Sequence, residues 1–313
     1  MLDSFLVAVW VVAPMALLMA VGVLVRKVGF IDRPAMKQFD RLLFRLFMPT
    51  LLFKNIYDTN ISTTINARLI AFAVAGMCLV FMLAFFAPPR LVKNRNQAAT
   101  IGQAIIRSNY ILFGIAVSQS IFGKGGTGTV ALLGAVAVPT TNAMAVIILE
   151  LNRSGKAKPI QIAVSILKNP MVIAALLALT LKLVNFQFPD LVYSVISDIA
   201  SVTTTVSFIS LGVSLNLGEL KRNIHPLRIG LVLRMLVVPA IFLPLSVAFG
   251  FRNQELCALM VLFAAPTAVA SYPMAVAMGA DGPLAGQLVC TTTVTSVFTM
   301  FCFTMLFRSL GLL

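Results

Sequence analysis

Ten stretches of about 20 mostly apolar residues follow one another along the chain, separated by short loops. A helix of that length crosses the hydrocarbon core of a bilayer, where every backbone polar group must be paired within the protein. Only 11% of the residues are charged, whereas a soluble domain has roughly 25%. We therefore expect an all-α membrane protein with helices at about 5–25, 40–57, 67–87, 101–121, 128–150, 167–185, 192–216, 227–249, 255–278 and 285–307.

Lysines and arginines divide the connecting loops into two groups. Cytoplasmic loops of membrane proteins carry an excess of these residues. Fifteen follow the first, third, fifth and seventh stretches: Arg26, Lys27, Arg33, Lys37, Arg41, Arg90, Lys93, Arg95, Arg153, Lys156, Lys158, Lys168, Lys221, Arg222 and Arg228. Five lie on the opposite side: Lys54, Arg68, Lys124, Arg252 and Arg308. We therefore expect a multi-pass protein of the bacterial inner membrane with both termini outside.

The sequence lacks the features typical of nucleic-acid-binding proteins, metal sites and several classes of enzyme. The net charge of +14 comes from basic residues placed between apolar stretches, which indicates contacts with lipid headgroups and not with nucleic acid. The four cysteines fall inside apolar stretches without zinc-type spacing, and His225 is the single histidine. No phosphate-binding loop, Gly-x-Ser-x-Gly or His-Glu-x-x-His motif is present. We expect no enzymatic activity, cofactor, metal site or nucleic-acid partner.

The two halves of the chain resemble each other faintly. Pro14-Met15 in the first stretch corresponds to Pro170-Met171 in the sixth, an offset of 156 residues (170 minus 14). Residues 1–150 and 151–313 would then be two five-helix repeats. Since five is odd, the second repeat enters the membrane inverted, and inverted repeats are typical of transporters.

The fourth and ninth stretches carry the residues that most favour a binding site. Pro266 and Pro273 interrupt the hydrogen bonds of the ninth stretch, and broken backbone at membrane depth must line a cavity or be buried in protein. Half-helix N-termini there would suit a carboxylate, and Thr267 and Ser271 would be reachable by water. The alternative for the ninth stretch is a proline kink without a ligand. The alternative for the fourth stretch is that Ser108 and Asn109 only form hydrogen bonds between helices. The substrate-binding candidates are Ser108, Asn109, Tyr110, Gly114, Asn142, Pro266, Thr267, Ala268 and Ser271.

Ionisable residues inside apolar stretches are candidates for function by default. Arg234 would balance the charge of a substrate or extend to the headgroups. Asp198, in the outer part of the seventh stretch, is interpreted as the one acid well inside a stretch. It is a candidate for coupling to a proton or cation, and a position at the outer membrane interface is the alternative. Arg45 and Arg107 are expected to reach the cytoplasmic headgroups.

Four passages resemble the auxin efflux carrier family, which includes plant PIN-type carriers and bacterial malonate permeases. They are Phe47–Phe53 with its proline, Ser108–Gly114, Ser210–Leu215 with its glycine, and Ala264–Ala268. The resemblance covers essentially the whole chain. It implies ten helices in two inverted repeats, a scaffold domain and a transport domain, broken helices 4 and 9 that cross, and substrate binding by Asn109 and Asn142. The sequence departs from the family in Gly114-Ile115-Ala116, where a proline often follows the glycine.

We therefore expect a secondary transporter that moves a small organic anion, a carboxylate such as malonate, by alternating access. A sodium-coupled symporter of the bile-acid type is the first alternative, and a membrane channel or sensor is the second. The partners are the substrate and the lipid bilayer. Coupling to a proton or sodium and the formation of a homodimer are left open.

The distribution of basic residues makes a testable prediction about topology. A reporter fused after Leu313 should show alkaline phosphatase activity, because both termini are expected outside the cytoplasm. A fluorescent reporter that matures only in the cytoplasm should stay dark in the same position. Fluorescence without phosphatase activity would reverse the predicted orientation.

Overall fold

The computed structural model describes residues 2–31, 33–58, 66–123, 126–154, 159–215 and 222–313. Within these ranges, the description excludes the side chains of residues 2–11, 33, 34, 37, 152–154, 159, 161 and 162. Four basic residues used for the topology prediction therefore lie outside the described residues: Lys124, Lys156, Lys158 and Lys221.

Regular structure in these ranges is helical, apart from one isolated β-bridge. The helices in chain order are α1 (Leu2–Lys27), α2 (Arg33–Leu42), α3 (Met48–Tyr57), α4 (Ala67–Leu91), α5 (Arg95–Ile106), α6 (Tyr110–Phe122), α7 (Thr127–Ser154), α8 (Pro159–Leu167), α9 (Pro170–Leu183), α10 (Asp190–Ser214), α11 (Ile224–Val232), α12 (Val238–Ala248), α13 (Asn253–Ala264), α14 (Ser271–Ala277) and α15 (Gly282–Ser309).

Each predicted apolar stretch overlaps with at least one of these helices. Among the described residues, five helices are long and apolar enough to cross a membrane: Ala67–Leu91, Thr127–Leu151, Asp190–Ser214, Ile224–Ala248 and Gly282–Ser309. Shorter apolar helices accompany them at Tyr110–Phe122, Pro170–Leu183 and Asn253–Ala264. The protein is thus an all-α membrane protein. Ten crossings in two inverted repeats remain a prediction.

Two of the helical segments contain a π-helical turn instead of a break. Leu43–Phe47 joins α2 to α3, and Leu233–Val237 joins α11 to α12. A proline follows each turn by two residues, Pro49 and Pro239. Proline lacks an N–H group and its ring clashes with the carbonyl four residues earlier, and both of those carbonyls lie in the π turns. A wider turn relieves the clash while the helix continues.

The helices form two bundles. The first bundle consists of α1, α2, α3, α9 and α10, in which α1 packs on α10 and α3 packs on both α9 and α10. The second bundle consists of α4 to α7 and α11 to α15. The bundles meet where α1 contacts α6 and α15 and where α2 contacts α14. Each bundle takes helices from both halves of the chain, so the repeats predicted at 1–150 and 151–313 do not fold as separate units.

The loops that follow the second and eighth stretches lie at one face of the protein, and the loops that follow the third and seventh stretches lie at the other. At one face, Asn66 donates a hydrogen bond to Glu255 and Arg68 donates one to the carbonyl of Phe249, which joins the loops after the second and eighth stretches. At the other face, Gln97 donates to Asn223 at 3.4 Å. That face exposes Arg90, Lys93, Arg95, Arg222 and Arg228. The arrangement agrees with the separation of charge between loops; that this face is cytoplasmic remains a prediction.

The fourth and ninth stretches are both interrupted, and the interruptions pair with each other. Residues 107–109 separate α5 from α6, and residues 265–270 separate α13 from α14. The N–H of Asn109 donates to the carbonyl of Pro266 at 2.8 Å, and that of Ala268 donates to Arg107 at 2.9 Å. Ser108 and Thr267 thereby form an antiparallel bridge. Pro266 favours the second break because the preceding residue is driven to extended backbone, while the first break occurs without a proline.

Hydroxyl groups reinforce this crossing reciprocally. Ser108 Oγ donates to the carbonyl of Val261 in α13 at 3.1 Å, and Thr267 Oγ1 donates to the carbonyl of Ala104 in α5 at 3.0 Å. Each break therefore caps the end of the other half-helix. The bridged pair is 159 residues apart (267 minus 108), close to the 156-residue offset between the two halves.

Arg234 binds the carbonyl ends of both half-helices. Its Nη1 donates to Ile105 at 2.8 Å, its Nε donates to Ala265 at 3.0 Å, and its Nη2 donates to Leu262 and Ala265 at 3.3 and 2.6 Å. The last carbonyls of a helix lack intrahelical partners and carry partial negative charge, which a guanidinium neutralises. The side chain is only 1% exposed. The interpretation that Arg234 extends to the headgroups is therefore wrong.

Replacing Arg234 should destabilise the fold. Arg234→Ala leaves buried carbonyls of α5 and α13 without a donor, and we expect the free energy of unfolding to fall by about 3 kcal/mol or more. Thermal unfolding of the purified protein in detergent measures this. Arg228→Ala is the matched control, because Arg228 is exposed on α11, the helical segment that leads into Arg234. Equal unfolding temperatures for the two variants would contradict the capping role.

Candidate functional site

A cavity of about 190 Å³ lies where the crossing faces the first bundle. The second bundle contributes the break between α5 and α6, the break before α14 and one face of α7. The first bundle contributes α3, α9 and α10. The lining residues are Met48, Leu51, Leu52, Asn55, Arg107, Ser108, Asn109, Tyr110, Ile111, Leu112, Val138, Thr141, Asn142, Met171, Thr204, Ala268, Val269 and Ala270. The walls are apolar except for a few converging polar groups, as in most small-molecule sites.

Five of the residues predicted to bind substrate line this cavity: Ser108, Asn109, Tyr110, Asn142 and Ala268. The fourth stretch and the loop before α14 bring four of them together at the crossing, and α7 places Asn142 opposite. Asn142 donates to the carbonyl of Val138 at 2.9 Å, so its amide is held against its own helix.

The other four predicted residues do not line the cavity. Gly114 packs α6 against α7, since a Cβ there would lie 2.5 Å from Cγ1 of Val130. Pro266 and Thr267 belong to the backbone crossing, where the N–H of Thr267 already donates to Thr292 Oγ1 at 3.1 Å. Ser271 is 2% exposed and accepts from Gln103 through its carbonyl. The prediction that Thr267 and Ser271 face water is not supported by this arrangement.

Three of the residues that line the cavity have a buried polar atom without a hydrogen-bond partner among the described residues: Asn109 Nδ2, Asn142 Oδ1 and the hydroxyl of Tyr110. An unpaired buried polar group costs about 1–3 kcal/mol, so proteins rarely keep one without a purpose. Asn109 supplies a donor and Asn142 supplies an acceptor. Their clustering at one cavity indicates a site whose ligand completes these bonds.

Arg107 is the residue that sequence reasoning misjudged most. It does not reach the headgroups: it is 4% exposed and lines the cavity. Among the described residues its side chain makes one hydrogen bond, from Nη1 to the sulfur of Met274 at 3.2 Å, and no acid pairs with it. A buried cation without an anion is unfavourable, so this site favours a ligand with negative charge. Its position directly before Ser108-Asn109 is the signal that could have identified it.

The N-terminus of α6 adds to the positive character of the cavity. Asn109 is the N-cap residue, its side chain makes no capping bond, and Ile111 and Leu112 of the first turn line the cavity. The first N–H groups of a helix have no intrahelical acceptor and carry partial positive charge. Together with Arg107, they form an anion-binding arrangement of the kind found at helix N-termini.

The two coupling candidates lie elsewhere. Asp198 is exposed on α10 and does not line the cavity, and Arg234 is fully engaged by backbone carbonyls. The acid that the sequence interpretation overlooked is Asp40, which is 1% exposed near the end of α2. It was missed because it stands at the first position of the second apolar stretch, where an acid is ordinarily interpreted as facing the headgroups.

The sequence model of a family described as membrane transport proteins matches residues 7–162 and again residues 159–304. Among curated proteins, none matches the chain. The crossing expected from the residues around Asn109 and Pro266 is present as the backbone pairing between these two residues and between Ser108 and Thr267. Because the two matches extend over almost the whole sequence, the chain belongs to this membrane transport family, the auxin efflux carrier family.

Proposed function

We propose that the protein is a secondary transporter for a small organic anion, a carboxylate such as malonate, and that it works by alternating access. The observation that carries the proposal is Arg107, a buried guanidinium without an acid partner among the described residues, in a cavity between two helical bundles. A guanidinium pairs with a carboxylate through two parallel hydrogen bonds. Such charge-assisted bonds are stronger than hydrogen bonds between neutral groups.

The remaining polar groups narrow the class of substrate. Asn109 Nδ2 and the first turn of α6 are additional donors for a carboxylate, whereas Asn142 Oδ1 is an acceptor without a partner among the described residues. A substrate with one carboxylate and one donor satisfies both, as a hydroxy acid or a monoprotonated dicarboxylate does. The cavity of about 190 Å³ is smaller than sites for drug-sized ligands, which measure about 300–1,000 Å³. A compact acid is therefore favoured over an extended one.

Alternating access has a structural basis in the two bundles. The cavity takes part of its wall from each, so a displacement of one bundle against the other would open it first to one side and then to the other. The reciprocal bonds of Ser108 and Thr267 support a two-fold relation between the breaks, as inverted repeats require. Ten crossings with the basic face in the cytoplasm complete the proposal.

The sodium-coupled alternative is disfavoured at the crossing itself. Unwound backbone carbonyls are typical sodium ligands in transporters. Here the carbonyls of Ile105, Leu262 and Ala265 are already occupied by the guanidinium of Arg234. A fixed cation thus stands where a transported cation would bind.

Carboxylate binding should depend on Arg107. A ligand at 100 times its dissociation constant stabilises a protein by about 2.7 kcal/mol, so a panel of carboxylates including malonate can be screened by thermal unfolding. We expect Arg107→Gln to weaken binding about 10- to 100-fold, because a charged hydrogen bond contributes about 1.5–3 kcal/mol.

Asn109→Ala should abolish transport in proteoliposomes while the protein stays folded.

Arg45→Gln is the control for this panel, because Arg45 is a basic residue exposed on the π turn before α3. It should bind the carboxylates as the unmodified protein does. Equal stabilisation of the Arg107→Gln and Arg45→Gln variants would remove Arg107 from the site. If no carboxylate stabilised even the unmodified protein, the anion itself would be wrong.

The cavity wall should be accessible to water on the side of Ala268. In a background without Cys78, Cys257, Cys290 and Cys302, Ala268→Cys should react with a small water-soluble thiol reagent, and the bound carboxylate should slow the reaction. Ser271→Cys should react far more slowly, because Ser271 is buried three residues away and lies outside the cavity. Equal rates at the two positions would mean that the cavity is misplaced.

A further inference from the structure

Asp40 is a buried carboxylate at the boundary between the two bundles. It lies near the end of α2 in the first bundle, with 1% of its surface exposed. An ionised acid in such surroundings is unfavourable unless its oxygens are well supplied with donors. A buried acid at the boundary between two helical bundles of a transporter is a candidate for binding a proton.

The two oxygens of Asp40 bind different bundles. Oδ1 accepts a hydrogen bond from Ser210 of α10, in the first bundle. Oδ2 accepts a hydrogen bond from the hydroxyl of Tyr272 of α14, in the second bundle, at 3.0 Å. Tyr272 is the second residue of α14, the half-helix that follows the broken backbone at the cavity. The Asp40–Tyr272 bond therefore links the first bundle to the element that carries part of the crossing.

No cation is paired with Asp40 among the described residues. On the adjoining turns, Arg41 and Arg45 are exposed, and the side chains of Arg33 and Lys37 are not described. From α1, Arg26 donates to the carbonyls of Val213 and Leu215 at the end of α10.

The elements that pack on α2 add no further charge near Asp40. Tyr272 is the one titratable residue of α14, and the nearest acid of α10, Asp198, lies 12 residues before Ser210, about 18 Å along the helix. Among the described side chains, hydroxyl groups alone thus support the carboxylate.

The protonation state of Asp40 decides how many of these bonds exist. An ionised carboxylate accepts from both hydroxyls at once. A protonated one has a hydrogen on one oxygen and must donate it, so one of the two bonds is lost or reversed and the remaining one is no longer charge-assisted. Proton binding therefore weakens the link between the bundles.

We propose that Asp40 is the proton-binding residue that couples a proton to substrate transport, through the Asp40–Tyr272 bond between the bundles. The inference rests on the proposed transporter function and assigns its coupling ion. Ionised Asp40 holds α14 against α2, the arrangement seen here. Proton uptake by the carboxylate releases α14, and the second bundle moves with the cavity residues it carries.

Transport in proteoliposomes tests the coupling, with radiolabelled malonate as the probe. A pH gradient should drive malonate accumulation by the unmodified protein, and Asp40→Asn should lose that accumulation while it keeps malonate exchange at equal pH. Asp40→Glu should restore part of it. Asp198→Asn is the matched control and should accumulate malonate normally, because Asp198 is exposed. Accumulation that follows a sodium gradient, or an Asp40→Asn variant still driven by pH, would overturn the assignment.

A second measurement needs no substrate and separates this inference from the transport proposal. The labelling rate of Ala268→Cys is measured with Asp40 and with Asp40→Asn in the same cysteine-free background. The ratio of the two rates at each pH removes the effect of pH on the thiol itself. Asparagine resembles the protonated acid, so the ratio should approach one at pH 5.5 and depart from one several-fold at pH 8. A ratio that is independent of pH would refute the proton-sensitive link even if malonate is transported. The predicted change without malonate transport would instead refute only the choice of substrate.

Discussion

The guanidinium of Arg234 on the carbonyl ends of α5 and α13 is the interaction on which the centre of this protein depends. Two helices that stop inside a membrane protein leave carbonyls without partners and two partial negative charges in close proximity. Water is not available there to satisfy them. Arg234 supplies donors to both ends at once, and the paired backbones of residues 107–109 and 266–268 satisfy one another.

This arrangement explains why the cavity is suited to an anion. With the negative helix ends occupied by Arg234, three donors at the crossing remain: the N-terminus of α6, the side-chain N–H of Asn109 and the guanidinium of Arg107. All of them attract negative charge. The two buried arginines therefore have different roles. Arg234 stabilises the broken helices, and Arg107 is available to bind a ligand.

The contacts of the two key polar residues also differ in which bundles they join. Arg234 binds only elements of the second bundle, so the crossing and its polar groups can move as one body. Asp40 binds Ser210 within its own bundle and Tyr272 across the boundary. A change at Arg234 should therefore affect the integrity of the site, whereas a change at Asp40 should affect the movement of one bundle relative to the other.

The sequence by itself determined the elements that depend on local chemistry. The length of each apolar stretch predicts its helix, Pro266 predicts the break before α14, and the amides of Asn109 and Asn142 stand out because they interrupt apolar surroundings. What a side chain touches is decided by residues far away in the chain, so only the tertiary structure shows it. The break before Asn109 has no proline and forms because the extended backbone around Thr267 offers it a partner. Arg107 and Arg234 look alike in sequence, yet one lines a cavity and the other caps two helices. The roles expected of Asp40 and Asp198 are reversed for the same reason: Tyr272 and Ser210 bind the buried Asp40, while Asp198 is exposed.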